Sequence, residues 1–430
     1  MNQLLKDKMV VKAEISKEDV KIGKFLGGGG QGEVYEGTHK GEKIAVKWYF
    51  ESSATSFQKD ILNNLILKGA PNNNFLWPTD LVFSDGVKGF GYLMPLRPAQ
   101  FKSIIDLVKR KAEPNFKELI KACYYLADSF KELHANGFAY RDISFGNLFF
   151  DPNTGDILIC DNDNVNYDGT KTSGVLGTPS FMAPEIVRGE AKPSTNTDLY
   201  SLSVLLYYML YISHPLDGER EANIKCKDMP ALNDLYGYNP IYIFDPVNKS
   251  NRPVKGIHDN ARVYHEIFPN KLKDLFEKAF TKGLKDPDCR VRESEWKECF
   301  KVLKDLIIKC TCSAENFFDE TKPVNDHICW NCKKKLIIPA KITINNKIII
   351  LNKDTKIRTS HLNKTDTDTV VAVLNQHPQN PNIWGLKNES QAAWKITSPD
   401  GKESFVEPGR SCSINVGLII DFGHTTGKIS

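Results

Sequence analysis

The chain lacks any apolar run long enough to cross a bilayer. A helical span needs about 20 residues, and the longest candidate, Leu199 to Ile212, falls short of that. No membrane partner is expected. An excess of one charge is also missing: 57 lysines and arginines face 53 aspartates and glutamates, a net charge of +4. That is too little to hold a nucleic acid or an anionic membrane by charge alone. Internal repeats and low-complexity tracts are absent, so solenoids and disordered scaffolds drop out. Nothing resembles a secretory leader, which makes the cytoplasm the expected setting and reduced cysteines the expected state. What remains is a chain of 430 residues, 41% hydrophobic and 26% charged, with room for two or three domains and their cores.

The most informative stretch is Tyr140-Arg141-Asp142-Ile143-Ser144-Phe145-Gly146-Asn147, followed by Asp161 at the end of the apolar run Ile157 to Cys160. An acid, an amide five residues on and a second carboxylate further along suit metal-dependent phosphoryl transfer from ATP. Asp142 orients the attacking hydroxyl, while Asn147 and Asp161 hold Mg²⁺ on the phosphates. Upstream, Gly27-Gly28-Gly29-Gly30-Gln31-Gly32 contains G-x-G-x-x-G, whose glycines let backbone N–H groups approach phosphate oxygens. A dinucleotide-binding loop of this pattern opens a helix. Here Glu33-Val34-Tyr35-Glu36-Gly37-Thr38 reads as a strand, so the glycines sit in a β-hairpin lid. Ile44-Ala45-Val46-Lys47 follows, a strand ending in a lysine placed to pair with the α- and β-phosphates.

In this order the motifs resemble a eukaryotic-type protein kinase over roughly residues 18 to 305. Gly177-Thr178-Pro179 through Ala183-Pro184-Glu185 resembles the end of an activation segment. Asp198-Leu199-Tyr200-Ser201-Leu202 resembles the start of the central C-lobe helix. Asp286-Pro287-Asp288-Cys289-Arg290 resembles the late motif whose arginine pairs with Glu185. The resemblance implies an α+β, two-lobed fold, with a β-rich N-lobe to about residue 97 and a helical C-lobe over 98–305. Its nucleotide-binding set would be Gly27, Gly28, Gly29, Gly30, Gly32, Val34, Ala45, Lys47, Met94 and Leu96, with Leu93 or Tyr92 as gatekeeper. Thr178 resembles the threonine of Ser/Thr kinases that bonds the catalytic aspartate. Arg141 resembles the arginine that answers an activation-loop phosphate, with Thr170, Thr172, Ser173 and Thr178 as candidate acceptors. Ile243-Phe244-Asp245-Pro246, Ser250-Asn251-Arg252-Pro253 and the paired cysteines of the tail resemble a bacterial group. Kinases of that group are encoded with a von Willebrand factor A-type protein and a metal-dependent phosphatase. This implies stress signalling, a protein substrate and those two partners.

The departures are as telling. Ser144 stands where Ser/Thr kinases carry a lysine on the γ-phosphate, a loss of about 2–4 kcal/mol of transition-state stabilisation. Asp161-Asn162-Asp163 replaces Asp-Phe-Gly, so both the apolar plug and the glycine hinge are gone, and Asp163 is available as a second metal carboxylate. In the helix after Lys47, apolar residues at 57, 61, 62 and 65 form a stripe. The position in register with the expected glutamate is Asp60. An ATP-binding scaffold without catalysis is therefore the alternative to an active enzyme.

The tail carries Cys310-Thr311-Cys312 and Cys329-Trp330-Asn331-Cys332. Two such pairs offer four thiolates for a structural Zn²⁺, with His327 as a substitute ligand; reduced, packed cysteines are the plainer reading. The other six cysteines read as core residues. Lys333-Lys334-Lys335 is the only basic cluster there, so nucleic acid is not expected. Beyond residue 336, short β-rich runs separated by turn residues argue a small β-sandwich. Its end resembles a forkhead-associated domain, which implies phosphopeptide binding through Arg358, Ser360 and His361. The divisions read as an N-terminal extension (1–17), a kinase domain (18–305), a four-cysteine zinc-ribbon-like segment (306–335) and a sandwich (336–430). An adaptor working mainly through this tail is a third reading.

Overall fold

Residues 3–169, 177–353, 355–362, 368–377 and 379–430 are described in a computed structural model of the chain. Two compact units emerge: Met1–Pro114 with Lys121–His265 and Lys273–Lys297, and Asn115–Ile120 with Glu266–Leu272 and Glu298–Ser430.

The first unit begins with a closed antiparallel barrel. Strands β1 (Val10–Ala13), β2 (Asp19–Gly28), β3 (Gly32–His39), β4 (Glu42–Tyr49), β5 (Asp80–Phe83) and β6 (Gly91–Pro95) run in the order β1-β2-β3-β4-β6-β5, and β1 closes on β5. Alternation of buried and exposed residues sets the register. Lys40 and Gly41, both at positive φ, make the two-residue turn between β3 and β4. Val11, Val20, Ile22, Tyr35, Val46 and Trp48 fill the barrel. The segment read as an N-terminal extension is part of this core. Leu5 is fully buried there, its N–H donates to the Tyr35 hydroxyl at 3.0 Å, and β1 lies within it. The charged residues of Lys6-Asp7-Lys8 and of Glu14 to Lys17, on either side, hid so short a strand.

Helix α1 (Ser56–Lys68) starts on Thr55, whose hydroxyl accepts the Gln58 N–H at 3.1 Å, and stops at Gly69 with φ 76°. It buries Leu62 and Leu65. Helix Phe116–Ala135 leads into the loop that carries Asp142, and helix Thr195–Tyr211, capped by Ser194, forms the buried centre of the helical part. Between them, strand Leu148–Phe150 pairs antiparallel with Ile157–Ile159.

Among the described residues the second unit holds a short antiparallel pair, Ile307–Lys309 with Glu315–Phe317, and two larger antiparallel sheets. A six-stranded sheet contains the hairpin Lys341–Ile344/Lys347–Ile350, turned by Asn345 and Asn346 at positive φ. A four-stranded sheet contains Val370–His377 and Asn380–Asn388. Ile342, Ile344, Trp394 and Ile420 from one, and Ile357, Ala372, Leu374 and Leu386 from the other, make a single core. The unit boundary does not fall at residue 305. Phe116 packs its ring against Phe268 (5.4 Å), Phe317 (5.2 Å) and Trp330 (6.3 Å), which draws the start of a long helix into this unit.

Candidate active site

The pairing of Leu148 with Ile159 sets two site residues side by side: Asn147 precedes one strand and Asp161 follows the other. Cys160 N–H donates to the Asn147 carbonyl at 2.8 Å and closes that end of the ladder. The Asn147 amide donates to the Asp142 carbonyl (2.8 Å) and carboxylate (3.1 Å), which leaves its own oxygen for a cation. Thr178 Oγ1 donates to the other Asp142 oxygen at 3.2 Å. The Asp142 carboxylate is thus held from both sides. Ser144 is buried in the same loop.

Lys47 projects from β4 into a network whose centre is Asp163. Its ammonium lies 2.8 Å from Asp163 Oδ2 and 3.3 Å from Asp161 Oδ1. The Lys47 and Asp163 side chains are 6% and 0% exposed, whereas the Asp161 side chain is 41% exposed. Burial works against the Lys47 charge, but the Asp163 and Asp161 carboxylates outweigh it and hold its pKa above the ordinary lysine range. Burial, reinforced by the charge of Asp163, pushes the Tyr49 phenol well up, so Tyr49 donates its hydroxyl to Asp163. The Asp161 carboxyl is itself raised, by burial, against the pull of Lys47. With its carboxylate enclosed by Lys47 and Tyr49, Asp163 is not exposed to a second metal.

Asp60, expected opposite Lys47, is exposed on α1. The helix presents Gln58, Leu62 and Leu65 inward, and Phe57 of the expected stripe is 47% exposed. Gln58 donates to the Asp163 carbonyl at 2.9 Å and to the Tyr49 hydroxyl at 3.2 Å. Gln58 and Tyr49 were not foreseen; their only signal was closeness in sequence to Asp60 and to Lys47. Asn162, in place of the apolar plug, is fully buried, and its amide donates to the carbonyls of Leu76 (2.9 Å) and Ile159 (3.0 Å).

Asp198 accepts the backbone N–H of Tyr140 at 2.5 Å and of Arg141 at 3.0 Å, and His134 Nε2 lies 3.2 Å away. Glu293 meets the other nitrogen of His134. Arg290 reaches Glu185 at 2.8 Å and also donates to the Asn196 carbonyl. Thr170, Thr172 and Ser173 lie outside the described residues.

Of the residues expected to hold a nucleotide, Val34, Ala45, Met94 and Leu96 belong to one apolar cluster with Tyr49, Leu62 and Tyr92. Leu93, offered as a gatekeeper, faces the opposite core with Val46 and Trp48. Tyr92 is the residue paired with Lys47 across β4 and β6. In the glycine loop only Gly32 is required by the fold, since a Cβ there would meet the Trp48 carbonyl at 2.2 Å. At Gly27, Gly29 and Gly30 a Cβ would meet nothing within 4 Å, and the added bulk would point into open space.

In the second unit, the sulfurs of Cys310, Cys312, Cys329 and Cys332 lie within 4.8 Å of one another. Cys310 and Cys332, and Cys312 and Cys329, approach to 3.7 Å. That is far beyond a disulfide bond and matches the roughly 3.8 Å edge of a tetrahedron with Zn–S near 2.3 Å. His327 is not part of this cluster: its Nε2 accepts the Asp319 N–H at 3.0 Å and its ring stacks on Phe318. Of the remaining cysteines, Cys123, Cys299 and Cys412 are buried, whereas Cys160 and Cys289 are half-buried and Cys226 is exposed rather than core. Arg358 pairs with Asp368 at 3.0 Å, Ser360 donates to the same carboxylate at 3.0 Å, and His361 lies 3.2 Å from Asp305. The expected phosphate-reading groups therefore already hold acids of this chain.

The protein kinase domain family matches residues 20–313, and the chain belongs to that family. It is 32% identical over 205 residues to the probable serine/threonine-protein kinase CCRP1 of Zea mays, covering 45% of this chain and 32% of that protein. It is 30% identical over 217 residues to the protein kinase C delta type of Rattus norvegicus, covering 47% and 31%. It is 27% identical over 224 residues to the serine/threonine-protein kinase mos of Patiria pectinifera, covering 48% and 61%. In all three the match takes in less than two thirds of the relative's length. No helix among the described residues is long and apolar enough to cross a membrane.

Proposed function

We propose that the protein transfers the γ-phosphate of ATP to serine or threonine of a protein substrate. The observation that carries this is the paired orientation of Asp142, by Asn147 at 3.1 Å and by Thr178 at 3.2 Å. A carboxylate held that way is set to accept the proton of an incoming hydroxyl, and the hydroxyl of Thr178 beside it supports a Ser/Thr acceptor. Lys47, charged and buried on the strand that gives Ala45 and Tyr49 to the apolar cluster, orients the α- and β-phosphates. The open space at Gly27, Gly29 and Gly30 fits a backbone cradle for phosphate oxygens. The amide oxygen of Asn147 and the exposed carboxylate of Asp161 are hard donors suited to Mg²⁺. Magnesium, when bound, supplies charge neutralisation to the phosphates.

In this reading the tail is a four-cysteine zinc ribbon followed by a β-sandwich that docks partners. The tetrahedral spacing of the sulfurs supports zinc, and the common core of the two sheets supports the sandwich. The internal pairing of Arg358 with Asp368 speaks for protein docking over phosphopeptide capture. The von Willebrand factor A-type protein and the metal-dependent phosphatase are the partners to try first, in a cytoplasmic stress pathway.

The test is incubation with Mg²⁺ and γ-labelled ATP, with and without a generic protein acceptor, beside Asp142→Asn. Label on serine or threonine that disappears in the variant is the expected result. ATP-dependent thermal stabilisation without transfer in the wild type would overturn catalysis and leave a nucleotide-binding scaffold.

A further inference from the structure

An acid on the helix after the lysine is what the motif order led us to expect, and α1 does not provide one. Its single acidic residue, Asp60, is exposed, and its inward face offers the amide of Gln58. The counter-charge comes from the loop that also carries the metal carboxylate. We propose that Asp163 is the positioning residue for Lys47, so that the competent lysine is set by the Asp161-Asn162-Asp163 loop and not by the placement of α1. This rests on the kinase reading and deepens it.

Four observations carry the assignment. Both oxygens of Asp163 lie within 3.1 Å of the Lys47 ammonium, and the side chain is fully buried. Tyr49, two residues beyond Lys47 on β4, donates to the same carboxylate and fixes its rotamer. The two acids divide the labour by exposure: Asp163 is enclosed with the lysine, and Asp161 keeps an accessible carboxylate for a cation. The loop itself is pinned by the Asn162 amide on two carbonyls. Helix α1 enters through the neutral amide of Gln58, which donates to the Asp163 carbonyl and to the Tyr49 hydroxyl. A helix that moves away would remove those two neutral bonds and leave the ion pair in place.

The experiment compares MgATP with adenosine. In the kinase reading Lys47 meets the phosphates and not the nucleoside, so Asp163→Asn should weaken MgATP binding tenfold or more, measured by titration calorimetry, and leave adenosine affinity within twofold. Phosphate transfer should fall at least tenfold. Adding Gln58→Glu to Asp163→Asn returns a carboxylate from the helix side and should recover part of the MgATP affinity. Asp60→Ala should match the wild type. Tyr49→Phe, which removes only the orienting hydroxyl, should show the same MgATP-selective loss in smaller measure and serves if Asp163→Asn does not fold. Equal losses for MgATP and adenosine, or wild-type MgATP affinity in Asp163→Asn, would overturn the proposal. Absence of transfer by the wild type would instead sink the catalytic reading, and the nucleotide comparison would still decide the role of Asp163.

Discussion

The Asp198 carboxylate accepts the backbone N–H of Arg141 at 3.0 Å, and Arg141 sits in the left-handed region at φ 77°. An arginine held there costs about 1–3 kcal/mol, and the strained residue directly precedes the proposed base. Asp198 therefore maintains a backbone conformation that the loop alone would not keep. Asp198→Ala removes the acceptor of two N–H groups and the partner of His134 at once. A loss of about 3 kcal/mol in stability is expected, with a drop in phosphate transfer of at least tenfold at temperatures where the variant is folded. Denaturant melts and transfer rates read the two separately, and an unchanged rate would deny Asp198 its part in holding the loop.

His134 provides a pH signature. Burial opposes its charge, but bonds to Asp198 and Glu293 prevail and raise its pKa from 6.5 to about 9. A group raised in the folded state adds stability that is fully present below pH 6.5 and disappears as pH rises through about 9. The shift corresponds to roughly 3 kcal/mol. Urea midpoints should fall between pH 6.5 and 9 in the wild type, and His134→Gln should flatten that part of the curve. A slope that persists in the variant would place the titrating group elsewhere.

Leu5 tests the opening segment. It is wholly buried in the barrel core, so Leu5→Ala should cost about 3 kcal/mol, in the range of large-to-small core changes. Thermal unfolding of the variant gives the answer; a change under about 0.5 kcal/mol would mean the segment contributes little to the barrel.

For the tail, elemental analysis of the purified protein should return one zinc per chain. Cys329→Ser should lose it and lower the unfolding temperature of the second unit, because Cys329 is buried and metal binding there is folding energy. A protein prepared without zinc, yet melting normally, would leave the four thiols as packed cysteines.

The family was readable because its motifs, with Lys47, Asp142, Asn147 and Asp161 among them, stand in the family's order along the chain. The phase of α1 was harder. Phe57, Ile61, Leu62 and Leu65 form a plausible apolar stripe, but burial falls on Leu62 and Leu65 with Gln58, while Phe57 stays exposed. Gln58 and Asp60 are two residues apart, a rotation of about 200° on a helix, so turning Gln58 to the site leaves Asp60 in solvent. The destination of Asp163 was not readable at all, since a carboxylate beside a metal-binding one looks like a second ligand until its partners are known. Arg358 and Ser360 misled for a related reason: the acid they hold, Asp368, is ten and eight residues away in sequence and adjacent only once the strands pair.

Asn162 has a bearing on pharmacology. Its amide ties the Asp161-Asn162-Asp163 loop to the carbonyls of Leu76 and Ile159, inside a site where the neighbouring Lys47–Asp163 pair is also buried. A compound that engages only after this loop has swung outward would have to break both bonds and strand buried polar groups, at a cost of about 1–3 kcal/mol for each group left unsatisfied. Such a ligand would forfeit that much affinity before making its own contacts. Selective chemistry for this protein should take the inward loop as given.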